Sequence, residues 1–195
     1  MQIRISSCKN LLLVFFFLVP ALAAFCQVKV HSTFLSPNKK TSFQVGLTGQ
    51  GSLMYRMLES GNEVVTWSPL GFVLNGIVAG EKTAIGSKTE RPVSTSFDWR
   101  LGENDRVQNV YNEFKLTCAS GPLDFSISGR VYNSSVAFRY QLPSSSDTAI
   151  LKKEFTQFIL PADYTIYQYH EESEYKPTSI DTLRTASDLP STLEN

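Results

Sequence analysis

From residue 41 to about residue 161, apolar and polar positions alternate in short runs separated by turn residues. Ser36-Pro37-Asn38-Lys39-Lys40 is turn chemistry. After it, Phe43, Val45 and Leu47 alternate with Ser42, Gln44 and Gly46. A period of two predicts a strand with one buried face. Gly49-Gln50-Gly51 turns the chain, and Leu53 to Leu58 reads as the next strand. Gly61-Asn62 closes a hairpin into Val64-Val65-Thr66-Trp67. Pro69 to Leu74 is a short apolar element, and Gly76 to Lys88 a weak strand with loops. Pro92 to Asp98 is a further strand, and Arg100 to Asp105 a polar turn.

The pattern then sharpens. Val107 to Cys118 is a strand with Phe114, Leu116 and Cys118 on one face. Leu123, Phe125, Ile127, Gly129 and Val131 share a face, as do Val136, Phe138, Tyr140 and Leu142 beyond Asn133-Ser134-Ser135. Two alternating runs joined by a short polar turn predict a hairpin. Asn133-Ser134-Ser135 also matches a glycosylation sequon, but the turn already accounts for it. A Ser-rich loop follows from Pro143 to Thr148. Phe155 to Pro161 reads as a last strand, and residues 162–195 are polar with little periodicity. Many strands with no amphipathic helix between them predict an all-β sandwich.

The first 26 residues lie outside this pattern. Arg4 and Lys9 precede an apolar run from Leu11 to Leu22 that Pro20 interrupts, and Ala21, Ala23 and Ala24 follow. This is the layout of a secretory signal peptide, and it is short for a membrane span. Cleavage after Cys26 would release Gln27, so the expected product is an exported protein of residues 27–195 with no integral membrane segment. Phe25, where a lipobox has a small residue, argues against lipid anchoring at Cys26. With Cys8 and Cys26 gone, Cys118 has no partner and reads as a buried strand thiol.

Charge adds little. The 18 basic and 18 acidic residues balance, and no basic stripe points to nucleic acid. The 13 Phe and eight Tyr suit pleated sheets first and sugar stacking second. Glycoside hydrolysis needs two carboxyl groups about one bond. Asp98, Glu103, Glu113, Glu171, Glu172 and Glu174 qualify by type, but the sequence pairs none of them, and no catalytic residue is assigned. His170-Glu171-Glu172-Ser173-Glu174 is rich in metal-capable groups, yet Glu174 stands where a zinc-protease motif needs its second His. Its oxygens suit calcium better than zinc, although a charged loop is the default reading. The other histidine, His31, lies in no nucleophile motif. Tyr164, Tyr167, Tyr169 and Tyr175, with Trp67 and Trp99, are candidates for sugar stacking or for packing. No phosphate loop, hydrolase serine motif or cysteine–histidine zinc spacing occurs.

Several segments, in order, resemble the N-terminal domain of glycoside hydrolase family 97. Ser36-Pro37-Asn38-Lys39-Lys40 is similar to that domain's S-P-D-G-K, and Ser68-Pro69-Leu70-Gly71-Phe72-Val73-Leu74 to its S-x-L-G-L-x-L strand. Ser96-Phe97-Asp98, Gly102-Glu103 and Val107 to Phe114 resemble its S-F-D-E-T-W, W-G-E and R-N-x-Y-N-E-L runs. Arg130-Val131-Tyr132-Asn133 through Val136-Ala137-Phe138-Arg139-Tyr140 looks like its F-R-V-Y-N-D-G-V-A-F-R-Y hairpin. Glu154 to Phe158 with Leu160-Pro161 resembles E-x-T-x-F-x-L-P.

The resemblance implies a galactose-mutarotase-like supersandwich, expected to be incomplete at its C-terminal end. It implies an accessory domain of an α-glucosidase or α-galactosidase, inactive alone because the catalytic barrel is missing. Its partners would be that barrel or an α-linked oligosaccharide, in the periplasm or outside the cell. One Glu of an E-Y pair reaches a calcium ion in the family, and Glu174-Tyr175 is the matching pair, so Glu174 is the implied metal ligand. The chain departs from the family where E-T-W-x-x-V-W contracts to Asp98-Trp99-Arg100-Leu101, and where Ser135 replaces the turn Gly. Two rival readings are a stand-alone carbohydrate-binding module and a structural domain docking on a separately encoded barrel.

Overall fold

A computed structural model describes residues 27–101, 105–142, 148–168, 176–183 and 191–194. The first four strands are β1 (Lys29–Leu35), β2 (Thr41–Leu47), β3 (Leu53–Glu59) and β4 (Asn62–Pro69), and they pair in that order as an antiparallel meander. The turn before β2 is built as its residues dictate. Ser36 Oγ accepts from the Thr41 amide at 3.0 Å, and Asn38 Oδ1 accepts from the Lys40 amide at 3.0 Å. The β3–β4 hairpin turns one residue earlier than its sequence suggests. Ser60 and Gly61 both have positive φ, at 51° and 89°, and Glu59 pairs with Asn62. Two left-handed residues give a two-residue loop whose twist matches the flanking strands.

β5 (Phe72–Leu74) and β6 (Ile77–Ala79) form a short hairpin. The second large sheet follows: β7 (Thr83–Asp98), β8 (Arg106–Ser120), β9 (Leu123–Val131) and β10 (Val136–Gln141), with spatial order β10-β9-β8-β7. The weak strand of residues 76–88 and the strand of residues 92–98 are largely one element, because β7 runs unbroken through Pro92. Pro92 is tolerated there because β7 is an edge strand, where one missing N–H need not interrupt a ladder. β9 pairs with β8 only as far as Asn112, so the outer ends of β7 and β8 project as a two-stranded ribbon.

The two four-stranded sheets pack face to face, as their alternation predicts. Phe34, Phe43, Val45, Leu53 and Tyr55 from the first meet Phe114, Leu116, Cys118, Phe125, Ile127 and Val131 from the second. The rings of Phe34 and Phe114 stack at 4.1 Å, and Phe43 lies 5.3 Å from both Phe114 and Phe138. Offset aromatic contacts of this kind add to the burial of their area. At one end the sheets are also joined by their turns. Asn133 Oδ1 accepts from the Asn38 amide at 3.0 Å, and the Asn133 carbonyl accepts from Thr41 Oγ1 at 2.8 Å.

β11 (Leu151–Glu154) pairs with β5 to complete a small third sheet. Residues 155–160, read from sequence as a strand, form an irregular extended seam instead. The Phe155 amide donates to the Gly71 carbonyl, the Ile159 amide to Ser68 Oγ, and Tyr55 Oη to the Gln157 carbonyl at 2.8 Å. Side-chain oxygens thus take bonds that a regular ladder would make. The polar tail forms more structure than its pattern announces: β12 (Thr165–Gln168) pairs with β13 (Lys176–Ser179) and β14 (Thr192–Glu194). A 3₁₀ turn spans Ile180–Thr182. Among the described residues of this tail the one buried apolar side chain is Ile166, which explains why period-two reasoning passes over it.

Candidate functional site

The candidate carboxylates separate. Asp98 ends β7 opposite Arg106, and Glu113 lies on β8 opposite Arg91. Seven ladder positions between them correspond to roughly 23 Å of strand. A glycosidase pair is held about 5–9.5 Å apart. Glu113 is also engaged, since Arg91 reaches its Oε2 through Nη2 at 2.6 Å and Nε at 2.7 Å. Glu103, His170, Glu171, Glu172 and Glu174 lie outside the described residues, as do Tyr169 and Tyr175 and the leader of residues 1–26 with Cys8 and Cys26. Among the described residues no three His, Cys, Asp or Glu side chains group as for a metal ion.

The aromatic candidates divide by what covers them. Trp67 carries the Arg56 guanidinium over its ring at 4.8 Å, and Arg56 is held there by Glu63 at 2.9 Å and Gln44 at 2.8 Å. That ring face is taken by a cation. Trp99, at the ribbon's end, is 54% exposed and meets Phe97 edge-on at 6.5 Å. Tyr164 and Tyr167 are half-buried beside and within β12, and His31 is exposed with Nδ1 3.1 Å from Ser32 Oγ. Sequence reading missed a further ring cluster. Tyr111 and Tyr132 pack at 5.1 Å on the outer face of the second sheet, with Arg130 at 4.7 Å over Tyr111. The available signal was Arg130 and Tyr132, two residues apart and so on one face.

That outer face is an open trough. Two adjoining cavities of about 850 and 720 Å³ run along it. Small residues of β7 to β9, such as Gly86, Thr117 and Ser126, line the larger one. Lys115, Arg139 and Gln141 line both.

Cys118 is a packing thiol, as expected. It is 4% exposed, and burial pushes its ionisation up to about 12. Burial raises Tyr140 to about 12 as well, a rise opposed by its hydrogen bonds to Thr156 and the Gly71 backbone, while Tyr55 is raised further. In the unfolded chain the thiol ionises near 9.0 and the phenols near 10.0. Between those values and about 12 the folded protein holds more protons than the unfolded one. Stability is therefore intact below about pH 9 and falls as pH rises toward 12, by about 1.4 kcal/mol per pH unit for each group. Urea midpoints measured between about pH 8 and 11 should show this fall, and Cys118→Val should remove its earliest part. A variant whose midpoints track the wild-type fall would assign it elsewhere.

A family model described as Glycosyl-hydrolase 97 N-terminal matches residues 34–195. A glycoside hydrolase family 97 enzyme from Pseudoalteromonas sp. strain K8, solved with panose, has the same fold. The TM-score is 0.70 at 20% identity, covering 77% of this chain and 25% of that one. The enzyme from that strain solved with acarbose gives 0.68 at 20%, over 75% and 24%. A beta-arabinopyranosidase gives 0.66 at 20%, over 74% and 26%. This chain thus spans about a quarter of the length of each of these structures. A search of the curated proteins finds no match. An antiparallel sandwich with its core between two four-stranded sheets, matched by the family model from Phe34 onward, makes this chain a member of the glycosyl-hydrolase 97 N-terminal family.

Proposed function

We propose that the chain is the accessory, non-catalytic N-terminal domain of an α-glucosidase or α-galactosidase, which docks on a catalytic barrel and helps shape a pocket for α-linked sugar. The observation that carries this reading is one of extent. The N-terminal family model accounts for residues 34–195, while the solved relatives are about four times longer than the region they share with it. The separation of Asp98 from Glu113 along the β7–β8 ladder supports it. The purified chain is expected to leave aryl α-glucosides and α-galactosides intact. Turnover abolished by substituting a single carboxylate would overturn the reading.

Calcium belongs to the same reading through Glu174, which lies in sequence between β12 and β13. Calcium takes six to eight oxygens. One carboxylate supplies two at most, and the described residues hold no grouped set to add. The described residues therefore offer no carboxylate cluster that would complete a calcium site with Glu174. Export through the leader of residues 1–26 is also part of the proposal, with Gln27 the expected first residue on N-terminal sequencing. No described helix is long and apolar enough to cross a membrane.

A second reading, a stand-alone carbohydrate-binding module, rests on Trp99, the more exposed of the two indoles. Calorimetric titration with an α-glucan separates the two readings. Heat lost on Trp99→Ala favours the module, and no heat at all counts against it.

A further inference from the structure

The outer face of the second sheet carries cations in a geometry that packing does not require. Across the ladder Lys115 on β8 stands opposite Ser128 on β9, which stands opposite Arg139 on β10. The next row of that face is Thr117, Ser126 and Gln141 in the same order. Neighbouring strands lie about 4.8 Å apart, so Lys115 and Arg139 flank Ser128 at roughly 10 Å between backbones. Both have stems long enough to bring their charged heads over that serine. Between them the surface stays low, because Ser128, Ser126 and Thr117 are short.

Charge is distributed unevenly along the trough. Its carboxylates are Glu90, Glu113 and Asp124, and Glu113 is already paired with Arg91. Arg130 rests over Tyr111. Lys115 and Arg139 are exposed and have no ion-pair partner among the described residues. Ser128 Oγ donates to Gln141 Oε1 at 2.7 Å, which fixes the Gln141 amide at the lip of the trough. Two unpaired cations therefore sit above a floor of hydroxyls and an amide.

We propose that this trough binds an acidic saccharide, with Lys115 and Arg139 holding a carboxylate or sulfate borne on the sugar and Thr117, Ser126 and Gln141 bonding its hydroxyls. The inference rests on the reading of the chain as a carbohydrate-directed domain. Charge-assisted hydrogen bonds give the anion its hold, and the polar floor suits a ring that also carries free hydroxyls. A protein partner fits the central rows less well, because interface centres are apolar and depleted of charge.

The test is calorimetric titration of the full chain with trigalacturonate, a carrageenan tetrasaccharide, maltotriose, sodium sulfate and poly-glutamate. At least one of the two acidic sugars is expected to bind, and comparing them tells carboxylate from sulfate. Maltotriose should bind this trough at least about tenfold more weakly, having no charge to hold. Lys115→Ala and Arg139→Ala should each weaken the acidic sugar about tenfold. Added salt should weaken it further by screening, and Lys152→Ala, an exposed cation on β11, should change nothing. Unchanged affinity in the Lys115→Ala/Arg139→Ala double variant would overturn the proposal, as would failure of both acidic sugars to bind. Equal binding of sodium sulfate would reduce the trough to a simple anion site, and equal binding of poly-glutamate to a peptide site; either also overturns it. Turnover of an aryl glycoside, the result that sinks the accessory-domain reading, leaves this titration standing, so the two failures are distinguishable.

Discussion

Replacing Phe114 by alanine is expected to destabilise the protein by about 3–5 kcal/mol, the usual cost of emptying a large aromatic site in a core. Phe114 is 1% exposed at the contact between the two sheets. Its ring stacks on Phe34 at 4.1 Å with the planes 15° apart, and it lies 5.3 Å from Phe43. On its other side it covers the backbone of Gly129. Removing it leaves a void walled by two rings and a strand, none of which can close the gap without moving a sheet. For a domain of this size about 1 kcal/mol shifts the melting temperature by roughly 2–4 °C, so a fall of about 6–20 °C is expected. Thermal unfolding followed by circular dichroism measures it. A fall of no more than a degree or two would mean that the sheets do not meet through this ring.

The second large effect lies at the residue that ring covers. A Cβ on Gly129 would stand 2.5 Å from Cε1 and Cζ of Phe114 and 2.6 Å from the Ala137 carbonyl oxygen. The ring cannot retreat, because Phe34 stacks on it, and the carbonyl belongs to the ladder that joins β9 to β10. Gly129→Ala should therefore cost about 1–3 kcal/mol by overpacking, although alanine is no worse a strand residue than glycine. The two substitutions are coupled. In a Phe114→Ala background the ring contact has gone, so Gly129→Ala should cost less than it does alone, by about 0.5–3 kcal/mol. Urea unfolding of both single variants and the double completes the cycle. Strict additivity would show that Gly129 and Phe114 do not touch.

Much of this core is legible in the sequence, for a geometric reason. Successive side chains of a strand point to opposite faces, so Leu123, Phe125, Ile127, Gly129 and Val131 had to share a face once they formed a strand. The β9–β10 hairpin was visible for the same reason, and its register pairs Val136 with Val131 and Phe138 with Gly129. The reading faltered where one face does not dominate. β7 is exposed along most of its length, so no alternation marked its continuity, and Pro92 resembled a boundary when it is an edge position. Residues 155–160 have the composition of a strand, but Tyr55 Oη and Ser68 Oγ bond their backbone in place of a ladder. β12 to β14 are short and mostly polar, and they form by pairing with one another rather than by burying a stripe.

The candidate site was legible only in its ingredients. Arg130, Tyr132 and Arg139 were visible as members of one hairpin, and Tyr111 and Lys115 as members of another strand. That they share one exposed face depends on the register of three strands, which alternation within each strand does not fix. The carboxylates show the converse. Asp98 and Glu113 are near in sequence and of the right type, yet ladder geometry holds them apart.

Residue order alone shows that this chain forms antiparallel sheets, which side of each strand is apolar, and to which family it belongs. Those properties follow from local periodicity and motif order, which need no knowledge of distant contacts. The folded chain adds that the Phe114 ring closes over Gly129, that Arg56 caps Trp67, and that Lys115 and Arg139 flank Ser128. Each of these depends on strand register or sheet packing, which set distances between side chains that the chain's own order leaves free.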